Sequence, residues 1–184
     1  MAVNMQYNAG AAGIETAVRI WSSIVERRGR AHREFCTVRT PASQKPILLI
    51  EDDSEDADLF LRALEAAGIR NRVYLCADGE DAVRLLRGEG RYVGTPVQRP
   101  ALIVLDLQLP GLDGAEVLRR IKGDPVLRAI PVVVLTTQDD EAAVASAYAE
   151  GANCFIRKPM TADATAATLR AVTDFWFELA ELPG

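Results

Sequence analysis

From Lys45 onward, apolar runs too short for a helix alternate with stretches whose apolar residues fall at helical spacing. PILLI (46–50) leads into DLFLRALEAAG, where Leu59, Leu61 and Leu64 lie among charges and Gly68 can close the helix. RVYLC (72–76) leads into EDAVRLLRG, ALIVL (101–105) into GAEVLRRIKG, and PVVVL (131–135) into DEAAVASAYAEG. NCFIR (153–157) precedes a long final segment from Thr161. Five strand-like runs, each followed by a helical one, predict βαβ units: an α/β fold with a doubly wound, five-stranded parallel sheet and helices on both faces. The runs lack polar alternation, as strands buried on both faces do. Pro46 and Pro131 stand at strand starts, where a missing amide donor does little harm. Residues 88–100, GEGRYVGTPVQRP, predict a long surface loop. In the final helix, Leu169, Val172, Trp176 and Leu179 form a stripe suited to packing on the sheet, and Phe177 lies off it.

The first 44 residues differ in charge: six arginines face three glutamates there, whereas the rest of the chain is acidic. Two segments follow, an extension over 1–44 and a domain over 45–184. Ile14, Val18, Trp21 and Val25 fit one short helical stripe, followed by the basic ERRGRAHREF (26–35). One short helix cannot bury its apolar face alone, so a mobile tail is the simpler expectation, ahead of docking or arginine-mediated nucleic-acid binding. His32, the single histidine, sits among arginines and is not read as a phosphoryl carrier. At 184 residues, 49% hydrophobic and 26% charged, the composition is that of a globular domain. No run approaches the ~18 apolar residues of a membrane span, and the start lacks a secretory signal pattern. The three cysteines, Cys36, Cys76 and Cys154, show no disulfide spacing. A cytoplasmic protein is expected.

The strand ends carry the candidate chemistry, because ligands of open parallel sheets bind beyond the carboxyl ends of the strands. The first run ends in Glu51-Asp52-Asp53, the third in Asp106, the fourth in Thr136-Thr137, and the fifth soon reaches Lys158-Pro159. Taken singly, these read as a solvated turn, a cap and a loop. Together, Glu51, Asp52 and Asp106 repel one another unless one is protonated or a hard cation is bound. Mg²⁺, which takes one or two carboxylates with carbonyl and water oxygens, suits them. A cation, the Lys158 ammonium and the Thr136 hydroxyl around one carboxylate would receive a phosphoryl group. No serine, histidine or cysteine joins the set, so Asp106 is the expected attacking group.

These residues resemble the receiver domain of two-component response regulators over 45 to about 181. The match comprises the acidic pair after the first strand, DLQLPGLDG (106–114), Thr136 thirty residues after Asp106, and Lys158-Pro159. The resemblance implies a flavodoxin-like receiver fold that accepts a phosphoryl group from the phosphohistidine of a sensor kinase. It implies Asp106 as acceptor, and Asp52, Asp106 and the Gln108 backbone carbonyl as direct Mg²⁺ ligands with Glu51 acting through water. It further implies Lys158 and the switch residue Thr136 as phosphoryl contacts, Phe155 as switch aromatic, and a cis peptide before Pro159. Thr137 adds bulk where many receivers have a small residue, while Gln108 and Gln138 flank the expected path of attacking water.

The expected protein is a single-domain regulator, not a turnover enzyme, whose output is contact with another protein. IKGDPVLRAIPVVVLTT and DFWFELAELPG further resemble regulators paired with phytochrome-like sensor kinases. Phe177 is the residue expected to support a homodimer or kinase docking. The main enzyme alternative, a haloacid-dehalogenase-type phosphatase, would need a general acid two residues after Asp106, where Gln108 stands. A P-loop is absent from the sequence, and a binding module that works without phosphorylation is the remaining alternative.

Overall fold

Every apolar run becomes a strand, and the strand register brings their carboxyl ends to one rim. The computed structural model describes residues 6–7, 36–38 and 45–182. Strands β3 (Ile47–Ile50), β4 (Val73–Cys76), β5 (Leu102–Leu105), β6 (Val132–Thr136) and β7 (Cys154–Arg157) lie parallel in the order β4-β3-β5-β6-β7. Helices α1 (Ser54–Ala66), α2 (Gly79–Arg87), α3 (Gly114–Gly123), α4 (Glu141–Ala149) and α5 (Ala162–Asp174) connect or follow them. The predicted doubly wound sheet is thus present.

Alternate residues of each strand feed opposite cores. Ile47 and Leu49 of β3 join Phe60, Leu61 and Leu64 of α1 and Leu169 and Val172 of α5. Leu48 and Ile50 face the other way, onto Val83 and Leu85 of α2 and Val117, Leu118 and Ile121 of α3. Burial on both sides is why the runs read as continuous. Of the five parallel strands β3 to β7, only β7, at the sheet edge, has half-buried residues and the exposed Arg157.

The sheet extends past the five predicted strands. Two short strands from the amino-terminal extension, β1 (Gln6–Tyr7) and β2 (Cys36–Val38), continue it beyond β4. β2 runs antiparallel to β4 and β1 parallel to β2, so the backbone groups of β4 are paired on both sides. The helical stripe at Ile14, Val18, Trp21 and Val25, residues 26–35 and His32 lie outside the described residues.

Two expectations need correction. The final helix changes pitch: Phe175–Leu179 form a π-turn, in which the Ala180 N–H donates to the Phe175 carbonyl at 2.8 Å. The wider turn shifts the helical phase, so Phe177 packs with Trp176 against the α1–α5 core while Phe175 and Leu179 face outward. Phe177 is therefore not the outward-facing aromatic that the regular 3.6-residue spacing suggested. The peptide before Pro159 is trans, since no cis peptide occurs among the described residues; trans is the lower-energy isomer even for X-Pro bonds.

Candidate functional site

Register places the candidate residues. Ile50 of β3 pairs with Leu105 of β5, and Leu105 with Val134 of β6. One residue beyond the pair, the Asp106 N–H donates to the Ile50 carbonyl at 3.0 Å and the Glu51 N–H to the Cys76 carbonyl at 3.0 Å. Both acids therefore emerge side by side as the sheet ends. Across β6, the Lys158 N–H donates to the Thr136 carbonyl at 2.8 Å, holding the post-β7 segment against the same rim.

The turn after β5 explains the glycines near Asp106. The Gln108 N–H donates to Asp106 Oδ1 at 2.9 Å, which fixes the carboxylate from its own turn. Gly111 has φ +79°, a conformation that favours glycine. Gly114 opens α3 with its N–H donating to the Leu107 carbonyl at 3.1 Å. A Cβ on Gly114 would lie 2.4 Å from the Asp106 carbonyl oxygen and 2.5 Å from Leu107 Cα. The chain can return so closely beneath the acid only with glycine there.

The first turn of α1, after the acidic loop that follows β3, contributes a fourth carboxylate. Asp53 caps α1, accepting from the N–H groups of Glu55 at 2.7 Å and Asp56 at 3.3 Å. Its own N–H donates to Glu51 Oε1 at 3.1 Å. This cap turns the first helical turn toward the rim, where Asp56 meets Lys158. Lys158 Nζ donates to Glu51 Oε2 at 2.8 Å, Asp56 Oδ2 at 2.7 Å and Asp106 Oδ2 at 2.6 Å. Sequence reasoning missed Asp56, although a cap at Asp53 puts it third in the helix, where side chains reach back toward the helix start.

One ammonium serves three carboxylates, and the electrostatics reflect that imbalance. Burial pushes Glu51 up to about 7, against the opposing attraction of Lys158. Burial disfavours the charge of Lys158, but Glu51 and the hydrogen bonds to Asp106, Asp56 and Glu51 outweigh it and hold the ammonium above its ordinary range. The remaining expected residues lie around this cluster. Thr136 is wholly buried, and its Oγ1 accepts from the Gln138 N–H at 3.4 Å. The Thr137 hydroxyl donates to Gln108 Oε1, linking the turns after β5 and β6. Asp52 is half-buried beside Glu51. Phe155, also half-buried, packs against the α2–α3 core, and its N–H donates to the Tyr148 hydroxyl at 3.2 Å.

The donor set suits a hard divalent cation. Among the described residues no three acidic, histidine or cysteine side chains are arranged as a ready-made metal cage; Glu51, Asp56 and Asp106 converge on the Lys158 ammonium instead. Mg²⁺ needs no such cage, since it binds through one or two carboxylates and keeps several waters. Three carboxylates around one ammonium leave an excess of negative charge that such an ion would offset.

Comparison with known proteins agrees with this arrangement. Residues 47–170 match the response regulator receiver domain. Response regulator Rcp1 from Synechocystis sp. is 39% identical over 139 residues, spanning 76% of this chain and 93% of the relative. The crystal structure of the phosphorylated cyanobacterial phytochrome response regulator RcpA superposes with a TM-score of 0.73 at 39% identity, over 77% of this chain and all of that one. The Mn²⁺-bound form of Rcp1 gives a TM-score of 0.73 at 38% identity, over 77% of this chain and 100% of that one. No described helix is long and apolar enough to cross a membrane.

Proposed function

The chain belongs to the response regulator receiver domain family, and from that premise we propose that Asp106 is the phosphoryl acceptor of a two-component phosphorelay. A carboxylate oxygen of Asp106 attacks the phosphorus of a sensor kinase's phosphohistidine in line. The new P–O bond forms as the P–N bond breaks, and the imidazole leaves with the electron pair and takes up a proton. Lys158, 2.6 Å from Asp106 Oδ2, is the observation that carries this reading: it sets a fixed positive charge where the phosphoryl oxygens arrive. Thr136, at the adjacent strand end, supplies a hydroxyl that turns toward the new group. Burial of Asp106 keeps bulk water from the acceptor.

A divalent cation, Mg²⁺ in this reading, would be held by Asp52, Asp106 and the Gln108 carbonyl, with Glu51 acting through water, and would supply further positive charge for the phosphoryl oxygens. The Mn²⁺-bound state of Rcp1 supports a divalent cation in this reading. The likeness to phytochrome response regulators supports a phytochrome-type sensor kinase as donor. Phosphorylation then biases Thr136 and Phe155 toward an arrangement read by a protein partner, which includes a second copy of the chain. Turnover as a haloacid-dehalogenase-type phosphatase is disfavoured, because the Gln108 amide is far too weak an acid to protonate a leaving group and its oxygen is engaged by Thr137. Gln108 and Gln138 are the amides that would tune the lifetime of the phosphorylated state.

Incubation with acetyl phosphate and Mg²⁺, followed by intact mass measurement, tests the assignment. Wild type is expected to gain one phosphate and Asp106→Asn none. Equal uptake by both proteins would place the acceptor elsewhere.

A further inference from the structure

Lys158 has three N–H donors, and all three are committed: to Glu51, Asp56 and Asp106. If Asp106 is phosphorylated, as proposed above, Lys158 must give one of these bonds to a phosphoryl oxygen. The three partners are not equally costly to leave. The Glu51 side chain is 4% exposed, so a carboxylate released there stays in a poorly hydrated place. Asp106, 5% exposed, is still a carboxylate while the donor approaches and needs the ammonium until its new P–O bond forms. Asp56 is 36% exposed and stands on the first turn of α1, where water can replace the ammonium at once. Lys158 itself is 8% exposed and has little other contact with solvent.

We propose that Asp56 is a positioning residue for phosphoryl transfer, the yielding counter-charge that holds the third N–H of Lys158 while Asp106 is free and surrenders it to the arriving phosphoryl group. Asp56 does not touch the reacting atoms; it acts through Lys158. Its contact is made only in the unphosphorylated state, so it favours that state over the transition state of transfer. It also adds a negative charge beside the path of an anionic donor. Both effects slow loading, and neutralising Asp56 removes both.

The test is the rate of phosphate uptake from acetyl phosphate and Mg²⁺, followed by intact mass, for the full chain and its variants. Asp56→Asn keeps the shape and removes the charge; it should load about three- to fivefold faster, the factor expected for a partly exposed ion pair. Asp56→Glu restores the charge and should return the rate to that of wild type, which a purely packing role would not produce. Glu55→Gln removes a neighbouring charge that does not contact Lys158 and should change the rate less than Asp56→Asn. Overturning results are an Asp56→Asn rate equal to or below wild type, an equally fast Glu55→Gln, or an Asp56→Glu as fast as Asp56→Asn. Uptake by wild type but not by Asp106→Asn, with any of those results, removes this inference and leaves the acceptor assignment standing. Absence of uptake by wild type removes both.

Discussion

Glu51 shows how one buried acid records the state of the whole site. Its carboxyl is almost fully buried, shares the Lys158 ammonium with two other carboxylates, and is raised from an ordinary 4.5 to about 7. Between those values the folded protein holds a proton that the unfolded chain has lost. Folding stability therefore falls as pH rises through this window: the contribution is complete below about 4.5 and is lost on passing about 7. In chelator-treated protein, urea denaturation should show wild type losing about 3 kcal/mol relative to Glu51→Gln between pH 4.5 and 7.5. A constant difference across that range would show that Glu51 titrates normally. Asp106 is held differently, by the Gln108 N–H and by Lys158, so its fixed geometry comes from its own turn and from a residue 52 positions away.

At the scale of the element, the carboxyl-terminal helix is the most informative. Regular spacing puts Leu169, Val172, Trp176 and Leu179 on one stripe, and the first three do face the core. The π-turn then inserts extra rotation, bringing Phe177 inward and leaving Leu179 77% exposed. Phe177→Ala should accordingly cost about 2 kcal/mol of folding stability, less than a fully buried Phe because the side chain is only partly covered. Phe175→Ala should cost under about 1 kcal/mol, the value of its edge contact with the Trp176 ring at 5.2 Å. Chemical denaturation of the two variants checks the order, and a larger loss at Phe175 would contradict the π-turn. A related economy of space governs α3, whose start at Gly114 lies too close to the Asp106 backbone for any side chain.

For the molecule as a whole, the described cores on both sheet faces draw only on residues from Ile47 onward. β1 and β2 add backbone pairing beyond β4. Removal of residues 1–44 should leave phosphate uptake at Asp106 intact while freeing the outer backbone groups of β4 for pairing with another chain. Intact mass after acetyl phosphate treatment, together with size-exclusion chromatography against concentration, reads both effects. Loss of uptake would mean that the extension supports the site itself.

The alternation of apolar runs and helical stretches determined the strands, their parallel arrangement and the rim where Glu51, Asp106, Thr136 and Lys158 meet. Those features depend on local period and on a topology rule, both of which are written along the chain. Glycine follows proline at 111 and aspartate at 114, a pairing typical of turns, but the 2.4 Å approach that requires Gly114 is written nowhere in the chain. Three features were decided only by the tertiary structure: the bond from Lys158 to Asp56, the inward position of Phe177, and the pairing of β2 with β4. Each depends on where distant segments come to lie in space. Asp56 and Lys158 are 102 residues apart, and neither sequence neighbourhood names the other. Periodicity assumes a constant pitch, so it cannot register a π-turn, and the three residues of β2 are too few to carry a pattern. Sequence fixes which groups arrive at the rim, because strand ends are local; the fold decides how one ammonium is shared among them, because charge acts through space.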